Sequence, residues 1–478
     1  MAFFIYLLII NIFSFKASEL EDKLIFVVLH FRHGARAPQS INNDYYDILK
    51  EKWTNPGELT GMGQRMHYIL GLRNRIRYIE QQKFISEKFD PHEILIYSSS
   101  FNRTLISVSS HLQGFFPESA EKGEMLTEAQ EKLSYPPLNV NYDEINNAIE
   151  KLDGSALPNK MMLAPIKMIN HNERKIILFD IEGCTEEREE IKKKNRESLE
   201  LLKNLENDFN TKYGQKLNEF FGTNSEKYDL LYMNSFCDAF ISAYVDTREL
   251  TEFQKTGINF TELLEYCYEY NKINFLYHWS GDKERVLAHL ETSKLMAEFI
   301  SYMKKRIDAD INGENIGEKY KDYSRPKMLI LSGHDSTISS HEVFLMDALG
   351  FNDSFFRFPK FAAQVSFEVT RKNDGPKKNY SDYFVNYYFN DEYLFNVSVQ
   401  EFINKVEPHI WTNEQINEFC GFDEDNNYYV INNSTSNKKK DKAKTAYKVL
   451  MIIFICLTAI LLAISIILGI KLSKLKTS

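Results

Sequence analysis

Three short apolar runs punctuate the chain: residues 23–29 (KLIFVVL), 93–97 (EILIY) and 327–331 (KMLIL), each giving way to Ser, Gly, His or Arg. Runs of this kind fit central strands of a mostly parallel sheet covered on both faces. Between them, residues 61–81 place Met62, Met66, Ile69, Leu72, Ile76 and Ile79 at helical spacing. Residues 286–307 do the same with Val286, Leu290, Leu295, Phe299 and Met303. This alternation predicts a doubly wound α/β domain with helices on both faces of the sheet. Residues 363–370 and 383–389 alternate apolar with polar positions and predict later strands, an edge hairpin. From about residue 117 to 282 strand signals thin out, and residues 186–213 are highly charged with apolar residues at helical spacing. That stretch predicts an inserted, mainly α-helical cap.

The two ends carry a different pattern. Residues 3–13 are apolar except Tyr6 and Asn11, too short to span a bilayer but suited to the core of a secretory signal, assigned to residues 1–18. Residues 449–470 hold 22 positions without a charge between Lys448 and Lys471, which predicts a single transmembrane helix. Six lysines precede this span and three follow it, opposite to the usual bias. A type I topology is still expected, because the signal commits the large domain to translocation. The predicted organisation is therefore a signal (1–18), a core in two parts (19–116 and 283–425) around the cap (117–282), a lumenal stalk (426–448), the span (449–470) and a cytoplasmic tail (471–478).

Composition refines this picture. With 478 residues, 43% hydrophobic, and no low-complexity tract, the bulk of the chain is globular. The net charge of -9 excludes a general nucleic-acid binder. Residues 437–478 contribute +8 and residues 1–18 contribute +1, so residues 19–436 carry -18. An exocytic route permits disulfides and N-glycans. Outside the span, where Cys456 lies, four cysteines remain: Cys184, Cys237, Cys267 and Cys420, with three pairings open. Glycosylation sequons stand at Asn102, Asn259, Asn352, Asn379, Asn396, Asn432 and Asn433.

The candidate chemistry lies where the strands end. The first run empties into His30-Phe31-Arg32-His33-Gly34-Ala35-Arg36-Ala37-Pro38. Two guanidinium groups side by side call for a multiply charged anion, and their planar forks match phosphate oxygens. A histidine between them has its pKa lowered by the adjacent charge, which keeps one ring nitrogen unprotonated and nucleophilic. His30 and His33 have no acidic or Cys ligand beside them, so no metal is expected there. The third run ends in Ser332-Gly333-His334-Asp335. Two parallel strands thus bring His33 and His334-Asp335 to one sheet edge. Phosphoryl transfer needs a nucleophile, cations for the equatorial oxygens and an acid for the leaving alcohol, and Asp335 and His334 can be the acid and a further phosphate donor.

The stretch Arg32-His33-Gly34-Ala35-Arg36-Ala37-Pro38 resembles the R-H-G-x-R-x-P motif of the histidine acid phosphatases, a branch of the histidine phosphatase superfamily that includes prostatic and lysosomal types and phytases. His334-Asp335 resembles that family's H-D motif, Leu59-Thr60-Gly61-Met62-Gly63-Gln64 its L-T-x-x-G-x-x-Q helix start, and residues 98–107 its segment carrying a third arginine, here Arg103. The resemblance spans about residues 23–420. It implies phosphomonoester hydrolysis in which His33 is phosphorylated, Arg32, Arg36, Arg103 and His334 bind phosphate, and Asp335 is the acid. It implies no metal and no cofactor. It also implies a Cys184–Cys420 disulfide; the family's second bridge has no cysteine in the matching segment Phe361-Ala362-Ala363-Gln364, so Cys237 and Cys267 pair locally or stay free. Asn102 is expected to stay unglycosylated because a glycan there would crowd Arg103. The expected partners are a small phosphomonoester and the membrane, with a homodimer also carried as an expectation. The expected location is a lysosome- or vacuole-like compartment or the cell surface. Two alternatives stand beside the acid phosphatase: a phytase-like or lysophosphatidate phosphatase of the same mechanism, and a catalytically silent surface receptor on this fold.

Overall fold

The computed structural model of the chain describes residues 22–39, 53, 55–117, 125–134, 136, 146–152, 154–169, 191, 200–225, 227–248, 250–280, 285–313, 326–372 and 375–420. The expected signal, stalk, transmembrane helix and tail, with Cys184, Asn432 and Asn433, lie outside the described residues. Among the described residues no helix is long and apolar enough to cross a membrane.

Seven strands form one sheet: β1 (Asp22–Arg32), β2 (Ile94–Ser99), β3 (Lys167–Ile169), β4 (Met328–Gly333), β5 (Gln364–Lys372), β6 (Tyr383–Phe389) and β7 (Glu392–Ser398). Their order is β3-β2-β4-β1-β5-β6-β7. β1, β2 and β4 are the three apolar runs, and they sit together because each is buried on both faces. On one face Val27, Leu29, Phe31, Ile94, Ile96, Met328 and Ile330 share a core; on the other Phe26, Val28, Leu95, Leu329 and Leu331 do. A register shift between Leu24 and Phe26 interrupts the alternation at the start of β1.

The sheet is mixed, which corrects the expectation of a mostly parallel one. β3, β2, β4 and β1 run parallel, but β5, β6 and β7 are antiparallel in sequence. The cause lies in the connections. Parallel neighbours need a long crossover, whereas β6 and β7 are joined by Asn390 and Asp391 alone, both at positive φ (48° and 64°), as a two-residue hairpin demands. The expected hairpin is therefore a three-stranded meander, with β7 an additional strand.

Helices cover both faces. α1 (Gly61–Arg75) and α2 (Asn102–Phe115) pack on the first face. In the insertion, α3 (Glu200–Phe209), α4 (Leu230–Val245) and α5 (Phe260–Ser280) build a separate aromatic-rich core around Phe209, Phe236, Phe240 and Tyr270. A disulfide joins Cys237 on α4 to Cys267 on α5. The insertion also sends β3 back to pair with β2, a strand of three residues, too short to leave a periodic trace in sequence. α6 (Val286–Ile311) and α7 (Asp335–Leu349) cover the second face. A helix at Asn413–Cys420 belongs to a second compact unit. Cys420 is disulfide-bonded, with its partner outside the described residues.

Candidate active site

Three adjacent parallel strands, β2, β4 and β1, end side by side, and the segments leaving their carboxyl ends carry the predicted residues. β1 pairs Arg32 with Gly333 of β4, so His33 and His334 emerge next to one another, with ring centroids 5.6 Å apart. α7 starts at Asp335 with His334 as its N-cap, and α2 starts at Asn102, which places Arg103 in its first turn. The structure thus brings His33, Arg32, Arg36, Arg103, His334 and Asp335 into one place.

The loop after β1 is held by close backbone approach. A Cβ on Gly34 would fall 2.4 Å from the Gly63 carbonyl oxygen, and one on Gly63 would fall 2.2 Å from that of Ala35. The two glycines therefore let the loop lie directly against the start of α1. Thr60 caps that helix by accepting from Gly63 N–H, and Gly34 N–H donates to Ser107 Oγ at 3.1 Å.

His33 is buried, and its Nδ1 lies 2.9 Å from the Gly34 carbonyl oxygen. A carbonyl only accepts, so Nδ1 carries the proton and Nε2 keeps its lone pair. Burial pushes the His33 pKa well below the usual imidazole range, and Arg32, Arg36, His334 and Arg103 push it further in that direction. His334 is shifted the same way, first by burial and then by Arg103, Arg32 and Arg36. Its Nε2 lies 2.9 Å from Ser99 Oγ, which in turn lies 2.8 Å from Thr104 Oγ1.

Each arginine is fixed by partners on part of its guanidinium. Arg32 donates to Asp335 Oδ2 at 2.7 Å and to the Pro359 carbonyl at 2.8 Å, and it stacks over Phe361. Arg36 grips Asp238 with both terminal nitrogens, at 2.8 and 3.3 Å. Arg103 stacks over Phe101 and reaches toward His334 Nδ1 at 3.5 Å. Burial, followed by repulsion from Arg36, lowers the Arg103 pKa to about 10, so the group stays cationic at neutral and acid pH. The Nε atoms of Arg32, Arg36 and Arg103 are buried without a hydrogen-bond partner. Three unsatisfied buried donors around a neutral histidine form a cradle for an anion with several oxygens.

Sequence reasoning did not find Asp238, Phe361, Phe101, or the Ser99–Thr104 pair. Asp238 sits on a cap helix about 200 residues from Arg36, with no local signature. A cleft of about 160 Å³ opens onto Arg32, Arg36 and Asp335 and is walled by Tyr268, Phe275, Phe358 and Phe361, with Asn234, Asn271 and Asp238 as polar groups. Among the described sequons, Asn102, Asn259, Asn352, Asn379 and Asn396 are all exposed.

A buried arginine cradle at the carboxyl edge of an α/β sheet defines a protein built to hold a phosphate group. Residues 23–390 match the histidine phosphatase superfamily (branch 2), and the chain belongs to that family. It is a phosphatase. Human prostatic acid phosphatase is 24% identical over 344 residues, covering 70% of this chain and 72% of that protein. Lysosomal acid phosphatase from Xenopus laevis is 36% identical over 113 residues, 23% of this chain and 25% of that one. The solved Hafnia alvei phytase shares the fold at a TM-score of 0.53 and 11% identity, over 84% of this chain and 98% of that one.

Proposed function

We propose that the chain hydrolyses phosphomonoesters through a phosphohistidine on His33. The observation that carries this is the state of His33: its Nδ1 proton is committed to the Gly34 carbonyl, its charge is suppressed by burial and by the arginines, and three unsatisfied guanidinium donors surround it. Nε2 attacks phosphorus, the Nε2–P bond forms as the P–O bond to the leaving group breaks, and Arg32, Arg36 and Arg103 take the equatorial oxygens. An incoming phosphoryl group competes with Asp335 for Arg32; the displaced carboxylate takes up a proton from the acidic medium and passes it to the departing oxygen. The same group then draws a proton from water as water breaks the Nε2–P bond and frees phosphate.

The cleft favours a small leaving group with an apolar body. Its volume lies below the usual range for ligand pockets, four aromatic rings line it, and among the described lining residues Arg32 and Arg36 supply its positive charge while Asp238 faces them. Such walls suit an aryl monoester better than a polyphosphorylated inositol. We further propose a type I membrane protein with its catalytic domain lumenal or extracellular, glycosylated at exposed sequons. The apolar residues 449–470, the exposed sequons at Asn259, Asn352, Asn379 and Asn396 and the Cys237–Cys267 disulfide support this.

The test is phosphate release by the purified protein between pH 4 and 7 from p-nitrophenyl phosphate, phosphotyrosine, lysophosphatidate and inositol hexakisphosphate. Aryl esters are expected to turn over fastest, and His33→Ala to abolish turnover. Equal rates for both proteins would sink the mechanism, and a preference for inositol hexakisphosphate would sink the substrate assignment.

A further inference from the structure

A second cluster of chemically capable side chains lies at the far end of α7. His289 sits in the first turn of α6, Asp347 near the end of α7, and His409 closes a short 3-10 turn at Glu407–His409. Twelve residues of helix separate Asp347 from Asp335, about 18 Å along the axis. His289 Nε2 lies 2.8 Å from Asp347 Oδ2, and His409 Nδ1 lies 3.3 Å from the same oxygen. The three ligating atoms all fall within 4.8 Å of one another.

The hydrogen bonding around them is directional. His289 Nδ1 lies 2.9 Å from the His409 carbonyl oxygen, so that nitrogen donates its proton there. With Nδ1 committed to the carbonyl, Nε2 is the nitrogen that His289 turns to the Asp347 carboxylate, and a positive centre, proton or metal ion, belongs between the two atoms. The second carboxylate oxygen is served separately: Asp347 Oδ1 lies 3.8 Å from an Arg285 terminal nitrogen, which leaves Oδ2 to the two histidines. The 3.3 Å spacing matches the edge of about 3.3 Å expected around a four-coordinate zinc with bonds near 2.0–2.1 Å, and the 2.8 Å spacing would have to open by about 0.5 Å to do so. Donation from the far nitrogen of His289 to a backbone carbonyl is the arrangement that orients metal-bound histidines. The rings are also held in place: His289 stacks on His409 at 15° and on Trp411 at 8°.

We propose that His289, Asp347 and His409 bind one divalent transition-metal ion of the zinc type, with water in the fourth position. The ion ties the start of α6, the end of α7 and the segment at 407–409 into one clip. It supports the fold at a distance from the phosphate site and takes no part in hydrolysis.

The test uses full-length protein stripped with a chelator and titrated with Zn²⁺ at pH 7.5, read by calorimetry and thermal unfolding. Wild type is expected to take up one equivalent with a rise in Tm, and Co²⁺ to give the visible absorption of a four-coordinate site. His409→Ala truncates a partly exposed ring, and Asp347→Asn keeps the side-chain shape; each is expected to lose that equivalent, the Co²⁺ spectrum and the Tm rise. Both variants should keep the metal-free rate with p-nitrophenyl phosphate. Absence of stoichiometric uptake by wild type, or the same uptake by the variants, would overturn the site.

Discussion

His33 is insulated from acid by its surroundings. With its pKa held well below 6.5 by burial and by the arginines, the proposed nucleophile stays uncharged as the medium is acidified. kcat/KM for p-nitrophenyl phosphate is therefore expected to show no loss with a midpoint near 6.5 on the acid side; such a midpoint in the pH profile would contradict the burial argument. Asp238 acts through Arg36, which it grips by both terminal nitrogens. Asp238→Asn keeps the shape and removes the charge, so kcat/KM should fall about 10-fold, or about 1.4 kcal/mol of transition-state stabilisation. Steady-state kinetics with unchanged Tm separate this positioning role from a folding defect. The motif residues were legible because they are contiguous at strand ends. Asp238 was not, because only the folding of the insertion over the sheet brings its helix to Arg36.

Among the elements, α1 runs into a π-helical turn at Ile76–Gln81. There Arg77 makes a bidentate pair with buried Glu368 of β5, at 2.7 and 2.8 Å, and Tyr78 donates to the same carboxylate at 2.7 Å. Glu368→Ala removes the buried carboxylate that Arg77 and Tyr78 share, which should cost about 3–5 kcal/mol in urea unfolding. A loss below about 1 kcal/mol would show the pair to be solvated. The expected helix over 61–81 was right in extent, since its apolar periodicity carries through the wider turn. β7 escaped because its burial is uneven, with Glu392, Tyr393 and Asn396 exposed. In the cap, the Cys237–Cys267 disulfide closes a 30-residue separation. Replacing both cysteines with Ala should lower stability by about 2–4 kcal/mol, measured by chemical denaturation under non-reducing conditions.

At the scale of the molecule, six histidines among the described residues are buried with lowered pKa values: His30, His33, His67, His111, His334 and His341. Burial leads in every case and brings His30 and His67 to about 3. The unfolded chain takes up protons at these sites as pH falls through about 6.5 while the folded chain does not, so stability is lost on acidification. Each group contributes up to about 1.4 kcal/mol per pH unit until its folded pKa is reached. Glu342 opposes them, since burial raises its pKa and favours the folded state in acid, but it is one group against six. Tm is therefore expected to fall between pH 7 and 4.5, and inorganic phosphate to restore part of the loss by binding the folded cradle. Calorimetry across that range checks this, and a flat or rising Tm would contradict it.

By itself the sequence determined the central strands, the two motifs at their ends and the membership of a phosphatase family, because contiguous apolar runs and short motifs are local properties of a chain. Only the tertiary structure decided that β5 lies antiparallel against β1, and it alone decided the strand returned by the insertion, the Asp238 clamp, the aromatic walls of the cleft and the His289–Asp347–His409 cluster. Each of these joins residues tens to hundreds of positions apart, and no local pattern encodes which helices and loops the packing of two cores will bring face to face.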